Sequence, residues 1–122
     1  MIGYVTLGTN DLARAAGFYD TVMGLMGATR QWENERGIAW GKAPDQPGVG
    51  VMKPYDGKAA TIGNGVMIGI TVPTRGLVEQ MHAKALALGG KDEGPVGPRG
   101  EGFFAGYFRD LDGNKLVVYC TA

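Results

Sequence analysis

The sequence predicts an α+β protein made of two βαβββ modules. Strand-forming residues followed by a helical pattern open the chain, and a second such unit begins 63 residues later. An offset near half of the 122 residues is what an internal duplication gives. We therefore predict a single domain with modules at about residues 1–57 and 64–122. The offset aligns three pairs of residues: Tyr4 with Met67, Leu25 with Leu88, and Gly27 with Gly90.

The first module begins with strand formers at residues 4–7 and continues with a helix. Asp11 is the expected N-cap, and Gly24 and Gly27 end the helix. Strands are predicted at residues 28–32, 37–41 and 48–53, separated by polar or proline-containing breaks. Apolar side chains recur in the helix at helical spacing: Leu12, Ala15, Ala16, Tyr19, Val22, and Met23 or Met26.

The second module repeats this order, with a strand at residues 66–72 and a helix opened by Pro73 and Thr74. Gly89 and Gly90 close the helix. Residues 91–102 hold two prolines and four glycines, which predicts a long loop, and whether this loop forms a mobile lid stays open. The expected inner face of the helix consists of Leu77, Val78, Met81, Ala85 and Leu88.

The last twenty residues have the pattern of an antiparallel hairpin. Two runs of aromatic and β-branched residues, at 103–109 and 115–120, flank the polar break at residues 110–114. Either Gly113 or Asn114 is expected to supply the positive φ of the turn. The break also resembles part of a calcium loop, but no Glu stands at the closing position of such a loop. The turn is therefore the favoured interpretation.

Composition excludes several classes of function. Twelve basic and 12 acidic residues cancel, so no electrostatic attraction to nucleic acid is expected. No apolar run approaches about 18 residues and no basic-then-apolar leader opens the chain, which predicts a cytoplasmic protein without a membrane span. One cysteine cannot form an internal disulfide, and a chain without serine cannot be a serine hydrolase.

Two strings in the sequence resemble the glyoxalase, bleomycin-resistance protein and extradiol dioxygenase superfamily, also called the vicinal oxygen chelate superfamily. The string Asp110-Leu111-Asp112-Gly113-Asn114-Lys115-Leu116 is similar to its closing signature. Residues 2–7, Asp11-Leu12 and Phe18-Tyr19 are similar to its opening strand and helix. The resemblance covers nearly the whole chain. It implies curved mixed sheets around a cleft, a homodimer, and a divalent metal held by side chains of several strands.

The chain departs from the superfamily at the metal-binding positions. Those positions carry Tyr4, Met67 and Val117, and the fourth strand's counterpart falls near Met52. Phenol, thioether and isopropyl groups do not make a site for a hard or borderline divalent ion. The only histidine, His82, is expected to be a half-exposed helix residue. We therefore predict no metal cofactor and assign no catalytic residue, and whether the protein is an enzyme stays open.

The resemblance implies an apolar, aromatic cleft with a few hydroxyl groups, which suits a small organic ligand. An alternative is that the same side chains simply fill a core. The candidate ligand-binding residues are Tyr4, Thr6, Trp40, Met52, Met67, Phe104, Tyr107, Val117 and Tyr119.

Three functions remain open from the sequence. The first is a metal-free small-molecule binding protein similar to the bleomycin-resistance branch. The second is a metal-dependent lyase, isomerase or dioxygenase of the glyoxalase type. The third is a non-catalytic dimeric interaction module. The expected partners are a small-molecule ligand and a second copy of the chain, with neither nucleic acid nor membrane.

Overall fold

A computed structural model describes residues 1–121 of the chain. The chain divides into two compact units, Met1–Ile62 and Gly63–Ala122. Each unit has one helix and one four-stranded mixed sheet in the order βαβββ. The predicted α+β fold with two βαβββ modules is therefore confirmed. Within residues 1–121, neither helix combines the length and apolar character needed to span a bilayer.

The first unit contains one helix packed on a sheet of strand order β1-β4-β3-β2. Strand β1 pairs with β4 in parallel, and the other pairings are antiparallel. Its elements are β1 (Tyr4–Gly8), α1 (Leu12–Gly24), β2 (Thr29–Glu33), β3 (Gly37–Gly41) and β4 (Gly48–Met52).

Helix α1 begins where the sequence predicts. The side chain of Asp11 accepts a hydrogen bond from the backbone N–H of Arg14 at 3.0 Å, which satisfies a donor that the first helical turn leaves unpaired. The helix then buries one face against the sheet. Its buried residues are Ala15, Ala16, Phe18, Tyr19, Val22 and Met23.

The second unit repeats this arrangement with strand order β5-β8-β7-β6. Thr74 caps its helix by accepting a hydrogen bond from the Leu77 N–H at 3.2 Å. Both helices have 13 residues, and both begin at the same point of their modules when the chain is shifted by 63 residues. The elements are β5 (Ile68–Thr71), α2 (Arg75–Ala87), β6 (Lys91–Pro98), β7 (Phe104–Arg109) and β8 (Lys115–Cys120).

The β7–β8 hairpin has the predicted turn, and Gly113 supplies the positive φ of 90°. The carboxylate of Asp110 organises it: Oδ1 accepts hydrogen bonds from the backbone N–H groups of Asp112 and Asn114, each at 2.9 Å. Its Oδ2 accepts a third from the Asn114 side chain at 3.0 Å. The polar break thus works as a turn held by one buried carboxylate.

The prediction of a long loop at residues 91–102 is wrong. Residues Lys91–Pro98 form strand β6, which pairs antiparallel with β7 at the edge of the sheet. Two register shifts interrupt the pairing on either side of Gly94. Proline and glycine are tolerated here because an edge strand has one unpaired side and can absorb bulges.

The sequence predicts a half-exposed His82, but the side chain is buried, with 6% of its surface accessible. Opposite it stands Gly106, where an added Cβ would lie 2.9 Å from the imidazole ring. The Nε2 atom lies 3.1 Å from the Tyr107 carbonyl oxygen and 3.3 Å from Oδ1 of Asp92. Both neighbours are acceptors, so Nε2 carries the hydrogen and donates it. The imidazole therefore ties α2 to β7 inside the core of the unit.

Candidate functional site

The helix of the first unit covers one face of its sheet and leaves the other face open. Val51 and Leu7 form a register pair and are buried on the covered side. Neighbouring residues in a strand point to opposite faces, so Tyr4 and Thr6 lie on the open side. Tyr4 is 72% exposed there.

The open face of β3 and β4 is made almost entirely of residues with small side chains. Ala39 pairs with Gly50 in register, and glycines occupy the neighbouring positions. The result is a depression of about 400 Å³, within the range of about 300–1,000 Å³ typical of small-molecule sites. Its floor consists of Gly41, Gly48, Gly50, Ala39 and Met52, and its walls include Tyr4, Thr6, Gln31 and Trp32.

Two glycines of the open face, Gly48 and Gly37, have little room for a side chain because neighbouring atoms lie at the position of a Cβ. A Cβ on Gly48 would lie 3.1 Å from the carbonyl oxygen of Trp40. At Gly37 it would overlap the sulfur of Met52, whose side chain crosses that position. The absence of a side chain at Gly37 thus lets the Met52 thioether, an adaptable apolar group, form part of the cavity surface.

The polar groups at the cavity are few and uncharged. Gln31 Nε2 donates hydrogen bonds to the Gly41 carbonyl and to Thr29 Oγ1, each at 3.1 Å. Holding the amide by its nitrogen leaves the Gln31 Oε1 atom as an acceptor, and Thr6 adds a hydroxyl group. No charged side chain is found among the described residues that line the cavity.

The same face of the second sheet is filled instead of hollow. Gly50 lies opposite Thr6 in the first sheet, and Val117 lies opposite Gly69 in the second. Since the offset of 63 residues aligns Thr6 with Gly69, Val117 occupies the position that Gly50 has in the first sheet. Phe103 stacks on Tyr119 with ring centroids 4.8 Å apart and occupies more of the face. The six open-face positions of β7 and β8 are Ala105, Tyr107, Arg109, Lys115, Val117 and Tyr119, where β3 and β4 carry Gly37, Ala39, Gly41, Gly48, Gly50 and Met52.

Seven of the nine candidate residues lie on the open face of their own sheet or directly beside it. Tyr4, Thr6 and Met52 meet at the cavity of the first unit. Three more lie on the open face of the second sheet, and Met67, which is 44% exposed, directly precedes β5. Those three residues are Tyr107, Val117 and Tyr119.

The expectation that Trp40 and Phe104 face the open side is wrong. Trp40 is 1% exposed and stacks on Tyr19 of α1 at a centroid distance of 5.4 Å, so it borders the cavity without presenting its ring. Phe104 is also buried, and the Arg75 guanidinium of α2 lies 4.7 Å above its ring. Both aromatic residues alternate with open-face residues and therefore pack under the helices.

The cavity residues absent from the candidates include Gln31, Trp32 and the small residues of the floor. Their signal is a period of two: Gly37, Ala39 and Gly41 alternate with larger residues, as do Gly48 and Gly50. Alternating small residues on two adjacent strands indicate a face with space above it.

The residues at the superfamily's metal-binding positions do not fit a divalent cation. The register corrects the expected position in the fourth strand: Gly50, and not Met52, is the counterpart of Val117 in the first unit, so two positions offer no donor atom. Tyr4 and Met67 offer only a phenol and a thioether. Within residues 1–121, no group of three or more His, Cys, Asp and Glu side chains is placed to hold an ion.

The family model of the Glyoxalase/Bleomycin resistance protein/Dioxygenase superfamily matches residues 1–118. The chain belongs to this superfamily. It is similar to a glyoxalase/bleomycin resistance protein from Albidiferax ferrireducens T118, with 32% identity, a TM-score of 0.89, and coverage of 98% of this chain and 97% of the other. No curated protein matches the sequence at a significant level.

Two more distant structures share the fold. A glyoxalase-related enzyme from Fulvimarina pelagi is 21% identical, with a TM-score of 0.76 and coverage of 98% of this chain and 86% of that one. A lactoylglutathione lyase from Agrobacterium tumefaciens is 18% identical, with a TM-score of 0.70 and coverage of 98% and 92%. At this level of identity, the likeness supports the fold and carries no activity to this chain.

Proposed function

We propose that this protein binds a small, uncharged aromatic or apolar molecule without the help of a metal ion. The observation that carries the proposal is the cavity of about 400 Å³ on the open face of the first sheet, with its floor of small residues. Glycine in a strand interior weakens the strand and often marks a close approach of a ligand or of another backbone. The small residues Ala39 and Gly50 leave space above the sheet that a small ligand can fill.

The chemistry of the walls supports this class of ligand. Trp32 and Tyr4 are both substantially exposed at the cavity, and large amphipathic rings of this kind stack well on planar molecules. A ligand that enters the cavity meets no charged lining residue, so a charged group there would lose its hydration without gaining a partner. Gln31 and Thr6 supply an acceptor and a hydroxyl group to orient one polar substituent.

The missing metal donors favour binding over the metal-dependent chemistry of the superfamily. A Lewis-acid mechanism needs protein ligands that fix the ion and leave a position open to substrate. Tyr4, Met67, Val117 and Gly50 do not supply that set. We expect retention of an unmodified ligand, as in a sequestering protein, and no turnover.

A screen of planar aromatic compounds by calorimetry and tryptophan fluorescence tests the proposal. Trp32 lies at the cavity and Trp40 is buried, so binding should change the emission of Trp32. The variant Ala39→Leu fills the floor and should weaken binding about tenfold or more, because the ligand and the added side chain need the same space. Ala13→Leu adds the same atoms at an exposed helix position and should leave affinity unchanged.

Three results would overturn the proposal. One is equal affinity in Ala39→Leu and the native chain. Another is conversion of the compound in a reaction that EDTA abolishes, which would indicate a metal-dependent lyase, isomerase or dioxygenase. The third is the absence of any hit together with a partner protein that covers the cavity, which would favour an interaction module.

A further inference from the structure

Three basic residues stand side by side across the open face of the second sheet. Lys91 of β6 is the register partner of Arg109 of β7, and Arg109 is the register partner of Lys115 of β8. Directly opposed residues in antiparallel strands have Cβ atoms about 4.5–5.5 Å apart, and like charges at that separation destabilise the pairing. We call these three residues the basic row.

One carboxylate partly compensates the basic row. Glu93 Oε1 accepts a hydrogen bond from Arg109 Nε at 2.7 Å. That bond holds the pKa of Glu93 below its ordinary value, and the charges of Lys91 and Lys115 lower it further. Neither lysine forms an ion pair within the described residues 1–121. Three positive charges therefore face one negative charge.

A fourth cation lies at the same part of the face. The Nζ atom of Lys115 is 5.7 Å from the centre of the Tyr107 ring, and the Cζ atom of Arg99 is 5.5 Å from it. The Arg99 guanidinium is held by the backbone carbonyl of Pro95 at 2.5 Å and by that of Pro98 at 3.4 Å. Arg99 is thus positioned by neutral groups, which leave its charge uncompensated.

The local excess of positive charge is not a consequence of a basic protein, because the chain has a formal net charge of zero. Uncompensated arginine and lysine side chains around an aromatic ring match the requirements of an oxyanion: charge-assisted donors for its oxygens and an apolar surface for its carbon body.

We propose that the basic row, together with Arg99, binds the oxyanion of a small organic ligand, namely a carboxylate or a phosphate ester. The site lies on the second unit and differs in chemistry from the uncharged cavity of the first. It therefore goes beyond the function proposed above. Anion binding would relieve the repulsion within the row, so the ligand stabilises the unit that holds it.

Titration with phenyl phosphate, followed by calorimetry and amide NMR at constant ionic strength, tests the site. We expect saturable binding with shifts confined to β6, β7 and β8. Lys115→Gln and Lys91→Gln should each weaken it about tenfold, the loss expected for one charge-assisted hydrogen bond. Lys58→Gln removes the same charge from the first unit and should leave the affinity for phenyl phosphate unchanged. Ala39→Leu, in the cavity floor, should also leave this affinity unchanged.

Thermal unfolding without anion distinguishes a lysine that repels its neighbours from one that stabilises the fold, because only loss of the former raises the melting temperature. Lys115→Gln should raise the melting temperature, since it removes repulsion, and phosphate should stabilise the native chain more than chloride of equal ionic strength does. Equal affinities in the native chain and both lysine variants would overturn the proposal. So would stabilisation by chloride as large as that by phosphate, because screening alone would then explain it.

Discussion

The indole Nε1 of Trp40 donates a hydrogen bond to Oδ1 of Asp20 at 2.8 Å, and this contact joins β3 to α1. Arg30 of β2 binds the same carboxylate from the other side, with its Nε and Nη2 atoms 2.9 and 2.7 Å from the two oxygens. Asp20 therefore explains why the largest side chain of β3 lies beneath the helix. With Trp40 held there, the adjacent residue Ala39 points to the open face, where it forms part of the cavity floor.

This contact predicts a stability that depends on acid pH. The hydrogen bond from Arg30 is the main reason that the pKa of Asp20 lies below its ordinary value of 3.8, burial opposes it, and the Trp40 bond lowers the pKa further. A carboxyl with a lowered pKa in the folded state contributes stability that is complete above its unfolded pKa. That contribution is lost as the pH falls through the folded pKa.

Asp20→Asn should therefore reduce the free energy of unfolding by about 1 kcal/mol near neutral pH, a value kept small because the carboxylate is partly exposed. The difference between this variant and the native chain should shrink at a pH below 3.8, because the native carboxylate protonates as the pH falls through its lowered pKa. Urea unfolding at both pH values measures it. Asp45→Asn, at an exposed loop position, is the control and should leave the free energy of unfolding unchanged. A loss of stability in Asp20→Asn that does not depend on pH would contradict the prediction.

Replacing His82 by alanine should destabilise the second unit by about 3 kcal/mol. The variant leaves a cavity beside Gly106, removes the edge-to-face contact with Phe108, and leaves the Tyr107 carbonyl without its donor. Chemical unfolding followed by far-UV circular dichroism measures the loss. Gln80→Ala, on the exposed side of the same helix, should change stability by less than about 0.5 kcal/mol. Similar values for the two variants would show that the imidazole does not tie α2 to β7.

The fold could be predicted because its signals are local and occur twice. The helix N-cap at Asp11 and the Gly113 turn depend on neighbours within a few residues. The offset of 63 residues adds an independent check, since both helices begin at matching positions. The same offset aligns His82 with Tyr19, and both side chains are buried. The alignment therefore indicated burial of His82, although a polar histidine is usually expected at the surface.

Strand β6 could not be predicted from local propensity. Its residues Gly94, Pro95, Gly97 and Pro98 are typical of a loop, and only pairing with the exposed edge of β7 makes the segment a strand. That pairing depends on residues distant in sequence, which a local pattern does not reveal. Loop composition at an edge strand is therefore a recurrent reason for missing a strand.

The cavity was predicted only in part because reasoning from side chains selects large residues. Trp40 and Phe104 were predicted to line the cleft because they are aromatic, yet the alternation of side chains along their strands places both against the helices. The floor of the cavity is formed by residues that have almost no side chain. Its location followed only from the register of β3 and β4, in which Ala39 lies opposite Gly50.

Two glycines should respond in opposite ways to substitution by alanine. Gly113 has a φ of 90°, where an L side chain is strained, so Gly113→Ala should lower the free energy of unfolding by about 1–2 kcal/mol. Gly17 lies in α1 with no atom within 4 Å of a built Cβ, so Gly17→Ala should raise it by up to about 1 kcal/mol. Paired denaturation curves measure both changes. Destabilisation by both variants would contradict the helical environment of Gly17, and neutrality of both would contradict the strained turn.

Divalent metal ions should neither stabilise this protein nor be retained by it. A site occupied at about 100 times its dissociation constant would raise the free energy of unfolding by about 2.7 kcal/mol, which thermal unfolding detects easily. We expect no such change on adding Zn²⁺, Mn²⁺ or Ni²⁺ and no loss of stability in EDTA, since the phenol of Tyr4 and the thioether of Met67 are poor donors for these ions. The variant Tyr4→Phe, which removes the one oxygen donor of the set, serves as the control and should behave like the native chain. A stoichiometric ion that survives purification and whose removal lowers the melting temperature would contradict this prediction, and a weaker response in Tyr4→Phe would then identify the phenol oxygen as its ligand.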